Sequence, residues 1–138
     1  MKHVNEIDGN YNGMRYIVKF FEDGHRCGYV CIDDEKKFNE LKRNFDEHYT
    51  TDIICHGGIT FVEELIGDDY LPDGKWIGFD CAHCGDGRDY DNAIKVFGET
   101  DNLKRMRVFN YHFDKDGKVW KQEHVEMVCK DIIDQLKK

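Results

Sequence analysis

The chain has 138 residues, of which 40% are hydrophobic and 13% aromatic, so it is long enough for one domain with a buried core and too apolar for a disordered protein. Its 20 Lys and Arg against 28 Asp and Glu give a formal net charge of -8, which disfavours binding to duplex nucleic acid or to an anionic membrane. A small anionic ligand is not excluded, because a local cation or a set of backbone N–H groups acts within a Debye length of about 8 Å.

Residues 1–10 contain no apolar segment of the kind found in a secretory signal, and no run in the chain approaches the roughly 20 apolar residues that cross a bilayer. We therefore expect a cytoplasmic protein. Its six cysteines are then expected to be thiols or metal ligands, because disulfides are rare in that compartment.

Residues 14–22 are rich in aromatic and β-branched side chains, and a second such run covers residues 27–32. Because Asp23 and Gly24 between them are typical of a turn, the two runs predict a β-hairpin. The acidic residues 33–35 then offer a cap and first-turn charges for a helix. Apolar residues at helical spacing predict an amphipathic helix of about three turns. They are Phe38, Leu41 and Phe45.

Three short apolar segments predict further strands, at residues 53–55, 59–62 and 76–79. Residues 67–74 contain the only proline together with several acids, which indicates a loop.

The last third of the chain predicts a short helix at residues 90–97, a strand at 107–113 and a turn at 114–118. The turn is acidic, but its glycine comes too early for a calcium-binding loop. A C-terminal helix follows from an apolar stripe at helical spacing. The stripe consists of Val125, Val128, Cys129, Ile132, Ile133 and Leu136.

Strands interrupted by one helix and closed by another favour an α+β fold over residues 1–138 as a single domain. We expect a mainly antiparallel sheet, with the amphipathic helix and the C-terminal helix packed on one face. A mixed sheet is the alternative.

Two glycine-rich motifs carry most of the chemistry. The first is His56-Gly57-Gly58-Ile59-Thr60-Phe61, and the second is Gly78-Phe79-Asp80-Cys81-Ala82-His83-Cys84-Gly85-Asp86. Each places reactive side chains among glycines beside a predicted strand, where a ligand can approach the backbone closely. If the strands are neighbours, four candidate catalytic side chains meet in one site. They are His56, His83, Asp80 and Asp86.

Two chemistries fit this set. In the first, His56 and His83 act as general base and general acid near neutral pH, while Asp80 and Asp86 orient the imidazoles. In the second, the same four residues bind a divalent metal ion that activates water. The carboxylates lie close enough to His83 in sequence to orient it, and no compact His-x-His pair is present, so we expect the metal-free chemistry.

Five further residues are candidates for ligand binding. The backbone of Gly57 and Gly58 and the hydroxyl of Thr60 could contact phosphate, Trp76 could stack on a base, and Arg88 could pair with phosphate. The competing interpretation is that the glycines form tight turns and that the histidines are structural. Arg88 could equally neutralise a neighbouring aspartate.

A structural zinc site is disfavoured by the spacing of the cysteines. Cys81 and Cys84 are too loosely placed for a zinc knuckle. Cys27 and Cys31, four residues apart on a predicted strand, lie about 13 Å apart and cannot share one ion.

The two motifs, together with residues 123–136, resemble a widespread family of small phage and prophage proteins, and the resemblance covers roughly residues 50–138. It implies a role in the host cytoplasm against cyclic-nucleotide defence signalling (CBASS), through destruction of the messenger. The expected function is thus binding and hydrolysis of a small phosphate-bearing ligand such as a cyclic (di)nucleotide. The alternative is a non-catalytic nucleotide sponge or a module that binds a host protein, and homo-oligomerisation is left open.

Overall fold

Five antiparallel strands form the main sheet of the computed structural model, which describes residues 1–83, 85–109 and 117–138. In sheet order they are β1 (His3–Tyr11), β2 (Met14–Phe21), β3 (Arg26–Cys31), β5 (Gly74–Asp80) and β4 (Phe61–Leu65). A separate two-residue parallel pair joins β6 (Asp86–Gly87) to β7 (Lys118–Val119). The predicted hairpin of β2 and β3 is confirmed, and every pairing in the main sheet is antiparallel, so the mixed-sheet alternative is wrong.

Four helices accompany these strands among the described residues: α1 (Glu35–His48), α2 (Tyr90–Phe97), α3 (Asp101–Phe109) and α4 (Gln122–Leu136). The side chain of Asp34 caps α1 by accepting a hydrogen bond from the backbone N–H of Lys37 at 3.1 Å. Helices α1 and α4 share one core with the sheet, which confirms the predicted α+β architecture. Its helical contributors include Phe38, Leu41, Val125, Cys129, Ile132 and Ile133.

The opposite face of the sheet has a second, more aromatic core. Tyr29 and Trp76 are buried there, and the predicted acidic loop covers them through Tyr70 and Leu71. None of the helices in the described residues is long and apolar enough to cross a membrane.

The sequence did not predict strand β1, because its side chains are mostly polar, as an edge strand allows. The turn that joins it to β2 did carry a signal. Asn12 and Gly13 both have positive φ, 52° and 83°, as the two central residues of a tight hairpin turn require.

Two predicted strands need correction. Residues 53–55 form no strand, because the side chain of Gln135 in α4 satisfies the backbone of Ile54: Ile54 N donates to Gln135 Oε1 at 2.9 Å, and Gln135 Nε2 donates to Ile54 O at 2.7 Å. Residues 107–109 belong to α3, which Thr100 begins by accepting a hydrogen bond from Leu103 N. The rest of that predicted strand, 110–113, and residues 114–116 of the predicted turn lie outside the described residues.

Candidate active site

The fold brings the two glycine-rich motifs together. Strand β4 pairs with β5, and Thr60 N donates to Gly78 O at 2.9 Å just before that pairing begins. His56 lies in the turn that precedes β4, and His83 lies in the loop that follows β5. Their imidazole centroids are 5.7 Å apart, with the rings nearly perpendicular at 79°.

Asp86 is the most heavily bonded residue of the site. Its side chain is only 4% exposed and accepts three hydrogen bonds: from His56 Nε2 at 2.9 Å, from His83 N at 3.0 Å and from Trp120 Nε1 at 3.0 Å. Because a carboxylate can only accept hydrogen bonds, the contact with Asp86 means that Nε2 of His56 carries a proton. In neutral His56 the other nitrogen, Nδ1, is then the basic one.

Asp80 contacts the second imidazole. Its Oδ1 lies 3.2 Å from His83 Nε2 and accepts from Ala82 N at 3.1 Å, while its Oδ2 accepts from the hydroxyl of Thr60 at 3.1 Å. The His83 contact is close enough for an ion pair but poorly aligned for a hydrogen bond, so Nε2 of His83 is buried without a directed partner. The attraction between these two residues is therefore mainly electrostatic and is strongest when His83 is protonated. We call His56, Asp86, His83 and Asp80 the His–Asp site.

Gly57 allows His83 to sit where it does. A Cβ built on Gly57 would lie 2.1 Å from His83 Nε2, which no real atom pair tolerates. Gly57 and its neighbour Gly58 both have positive φ, 70° and 76°, but a Cβ on Gly58 would meet nothing within 4 Å. The Gly58 N–H donates to Cys55 O at 3.0 Å. Of the two N–H groups predicted to bind phosphate, that of Gly58 is therefore already used within the turn.

This difference predicts contrasting effects of two matched substitutions. Gly57→Ala and Gly58→Ala should each cost about 1–2 kcal/mol of stability, because both force alanine into the left-handed region. Only Gly57→Ala should displace His83. In histidine side-chain NMR spectra we expect the ring signals of His83 to shift in Gly57→Ala and to remain in place in Gly58→Ala. Equal shifts in both variants would contradict the assigned contact.

Trp120 and Lys118 belong to the site, although neither was selected from the sequence. The Trp120 ring lies 4.0 Å from the His56 ring, at 30°, and Lys118 Nζ lies 4.2 Å from the centroid of Trp120. The pairing of β7 with β6, which sets Lys118 opposite Asp86, brings both residues here. No local motif marks them, since the contact depends on a two-residue parallel pairing.

Two predicted ligand contacts are placed elsewhere. Trp76 is fully buried in the core of the opposite sheet face and donates from Nε1 to Pro72 O at 2.8 Å, so it cannot stack on a ligand. Arg88 turns toward Asp23, with Nη1 3.7 Å from Oδ2, and no contact with a residue of the His–Asp site is found for it within the described residues. The hydroxyl of Thr60 is at the site, but its proton is donated to Asp80.

The geometry gives no support to the metal alternatives. Within residues 1–83, 85–109 and 117–138, no three His, Cys, Asp or Glu side chains converge to hold an ion. Burial raises the pKa of Cys27 to about 12 and raises that of Cys81 well above its usual value, so both are thiols in the metal-free protein. Cys84 lies outside the described residues.

Comparisons of the chain with protein-family models, with curated proteins and with solved structures found no match. The function must therefore be inferred from the chemistry of the His–Asp site and its surroundings.

Proposed function

We propose that the protein hydrolyses a phosphodiester bond of a small nucleotide, such as a cyclic mono- or dinucleotide messenger, by metal-independent acid–base catalysis. One observation carries the proposal: two imidazoles lie 5.7 Å apart, and each contacts its own carboxylate. The imidazole of histidine can take or give a proton in the physiological pH range, and two of them can do both in one step.

His56 acts as the general base. Its Nε2–H is held by the buried carboxylate of Asp86, which leaves Nδ1 to accept a proton from water. The water oxygen then attacks phosphorus while the negative charge of Asp86 stabilises the imidazolium that forms. Trp120, packed against the ring at 4.0 Å, keeps the imidazole in this orientation.

His83 acts as the general acid. In its protonated form it is attracted to Asp80, whose Oδ1 lies 3.2 Å from Nε2, so the Nδ1–H is the proton available for transfer. As the bond from phosphorus to the leaving oxygen breaks, that oxygen takes the proton from Nδ1. The products are a phosphate monoester and a free hydroxyl group, and a second proton exchange with solvent resets the two histidines.

Contact with the phosphate falls to Lys118 and to the N–H of Gly57. Lys118 supplies a positive charge over Trp120 beside His56, which offsets the local field of the two carboxylates. The resemblance to phage proteins suggests the setting, which is removal of a defence messenger in the host cytoplasm.

The test is hydrolysis of bis(p-nitrophenyl) phosphate, cyclic AMP and cyclic di-AMP by protein dialysed against EDTA. We expect turnover to survive chelation and to show a bell-shaped pH profile, because one histidine must be neutral and the other protonated. We expect His83→Ala to lower kcat by about 10²–10⁴-fold. The same variant should leave the midpoint of thermal unfolding nearly unchanged, because the His83 side chain is 35% exposed.

Three results would contradict the proposal. Activity lost in EDTA and restored by Mn²⁺ or Mg²⁺ would replace it by metal catalysis. A ligand that is bound but recovered intact after denaturation would identify a sponge instead. A His83→Ala variant that unfolds easily yet retains turnover would make that histidine structural.

A further inference from the structure

A cleft of about 410 Å³ opens on the sheet face opposite α1 and α4. Its floor is formed by the buried side chains of Phe21 and Tyr29, and its walls include the half-buried rings of Phe61 and Tyr70. Tyr29 packs edge to face against both rings of the wall, with its centroid 5.3 Å from that of Phe61 at 82° and 5.5 Å from that of Tyr70 at 86°. A preformed cleft of this size with aromatic walls is suited to a flat heteroaromatic ring.

The cleft is continuous with the His–Asp site through Asp80 and Thr60, which line it as well. Asp80 accepts hydrogen bonds from Thr60 and Ala82 and contacts His83. A carboxylate has about four acceptor positions, so one position is left for an N–H of a ligand in the cleft. The same aspartate therefore faces the proposed acid on one side and the cleft on the other.

His25 adds a third imidazole–carboxylate pair at the wall of the cleft. Its Nδ1 is hydrogen-bonded to Asp23, its backbone N–H donates to the same Oδ1 at 3.1 Å, and its ring is stacked on Phe21 at 4.5 Å. Arg88 approaches the second oxygen of Asp23 at 3.7 Å. Asp23 and Phe21 thus fix the ring, and Nε2 is the nitrogen left to bond with a ligand.

We propose that this cleft binds the nucleobase of the substrate, and specifically a base with an exocyclic amino group. The base packs against the wall that Phe61 and Tyr70 form, its amino group donates to Asp80, and a ring nitrogen bonds with His25. Lys118, whose charge lies over Trp120 beside His56, directs the phosphate toward the His–Asp site. This inference rests on the proposed phosphodiesterase function for its choice of ligand, but the cleft can be tested without any turnover.

The experiment is equilibrium binding of uncharged nucleosides to the full chain, followed by NMR. Adenosine and cytidine carry the amino group, whereas inosine and uridine have a carbonyl in its place. We expect adenosine and cytidine to shift the backbone signals of Phe61 and Tyr70, and to bind at least tenfold more tightly than inosine and uridine. Phe61→Leu should weaken adenosine binding by about five- to hundredfold, in keeping with the loss of one aromatic stacking partner.

Phe45→Leu is the matched control, since Phe45 is a half-buried phenylalanine packed in the core on the other face of the sheet. It should leave adenosine binding unchanged. Absence of nucleoside binding, equal affinity for adenosine and inosine, or equal weakening by the two phenylalanine variants would each overturn the proposal. If nucleosides bind as expected while no phosphodiester is hydrolysed, the cleft assignment stands and the catalytic proposal alone fails. If a phosphodiester is hydrolysed while no nucleoside binds, the cleft assignment alone fails.

Discussion

Replacing Arg26 by Met is expected to lower the free energy of unfolding by about 3–5 kcal/mol. The Arg26 side chain is only 2% exposed and binds two carboxylates: Glu6 at 2.6 and 3.1 Å, and Asp89 at 2.8 Å. It also donates to Trp120 O at 3.1 Å. Methionine fills much of the same volume but leaves two acidic groups and a carbonyl short of a donor, and the Asp89 side chain is itself only 2% exposed. Urea unfolding at neutral pH measures the difference.

Arg15→Met is the matched control. Arg15 also binds one carboxylate of β1 with two hydrogen bonds, to Asp8 at 2.9 and 2.6 Å, but both side chains are more than 40% exposed. An exposed pair contributes about 0–1 kcal/mol, so this variant should be nearly as stable as the parent. If the two variants lose similar amounts of unfolding free energy, burial does not determine how much the Arg26 ion pairs contribute to stability.

The Arg26 effect should also depend on pH. Burial alone would raise the pKa of Asp89, but hydrogen bonds from Asn92, Arg26 and Lys121 outweigh it and lower that pKa below its usual value. The stabilisation from ionised Asp89 is therefore complete above the unfolded pKa of about 3.9 and is lost as pH falls through the lower, folded value. The stability gap between the parent and Arg26→Met should narrow below about pH 4.

Asp86→Asn is expected to lower kcat for phosphodiester hydrolysis by about 10²–10⁴-fold. In the proposed mechanism, the amide removes the negative charge that stabilises the His56 imidazolium. It also offers only one accepting oxygen to three donors that approach both oxygens of Asp86, so one of them must face an NH₂ group. Steady-state kinetics with bis(p-nitrophenyl) phosphate measures the loss, and thermal unfolding reports its structural part.

A second substitution separates charge from geometry. Trp120→Phe removes the N–H that donates to Oδ1 of Asp86 but retains a ring beside His56. In the double variant Asp86→Asn with Trp120→Phe, the NH₂ can turn toward the phenylalanine while the oxygen accepts from His56 and His83. We expect stability to recover and kcat to stay low. Recovery of kcat as well would mean that Asp86 orients His56 without contributing its charge.

The sequence predicts the elements whose patterns are local and complete. The Asp23-Gly24 turn, the Asp34 cap of α1 and the apolar stripe of α4 are each contained within a few neighbouring residues, and the structure has all three elements. Strand β1 and residues 53–55 were not predictable in this way. The first is an edge strand with polar side chains, and the second is held by a glutamine 81 positions later in the chain.

For the candidate site, the spacing of Asp80, His83 and Asp86 was informative because a loop at a strand end can gather side chains three residues apart. The proximity of His56 followed from the expectation that its strand is a neighbour. Trp76 was misplaced because strand alternation allows either face, and the apolar pattern did not show which one carries a core. Lys118 and Trp120 depend on a distant backbone pairing that has no sequence signature.

The two hydrogen bonds between Gln135 and Ile54 have a consequence for the order of the site. Gln135 lies in the last turn of α4 and is held there by Asp131, to which its Nε2 also donates at 2.9 Å. The segment that carries His56 is thus hydrogen-bonded to the C-terminal end of α4. Helix ends open more readily than helix centres. The proposed general base is therefore anchored, two residues away, to the part of α4 that frays first, whereas the proposed general acid follows β5, an inner strand of the sheet.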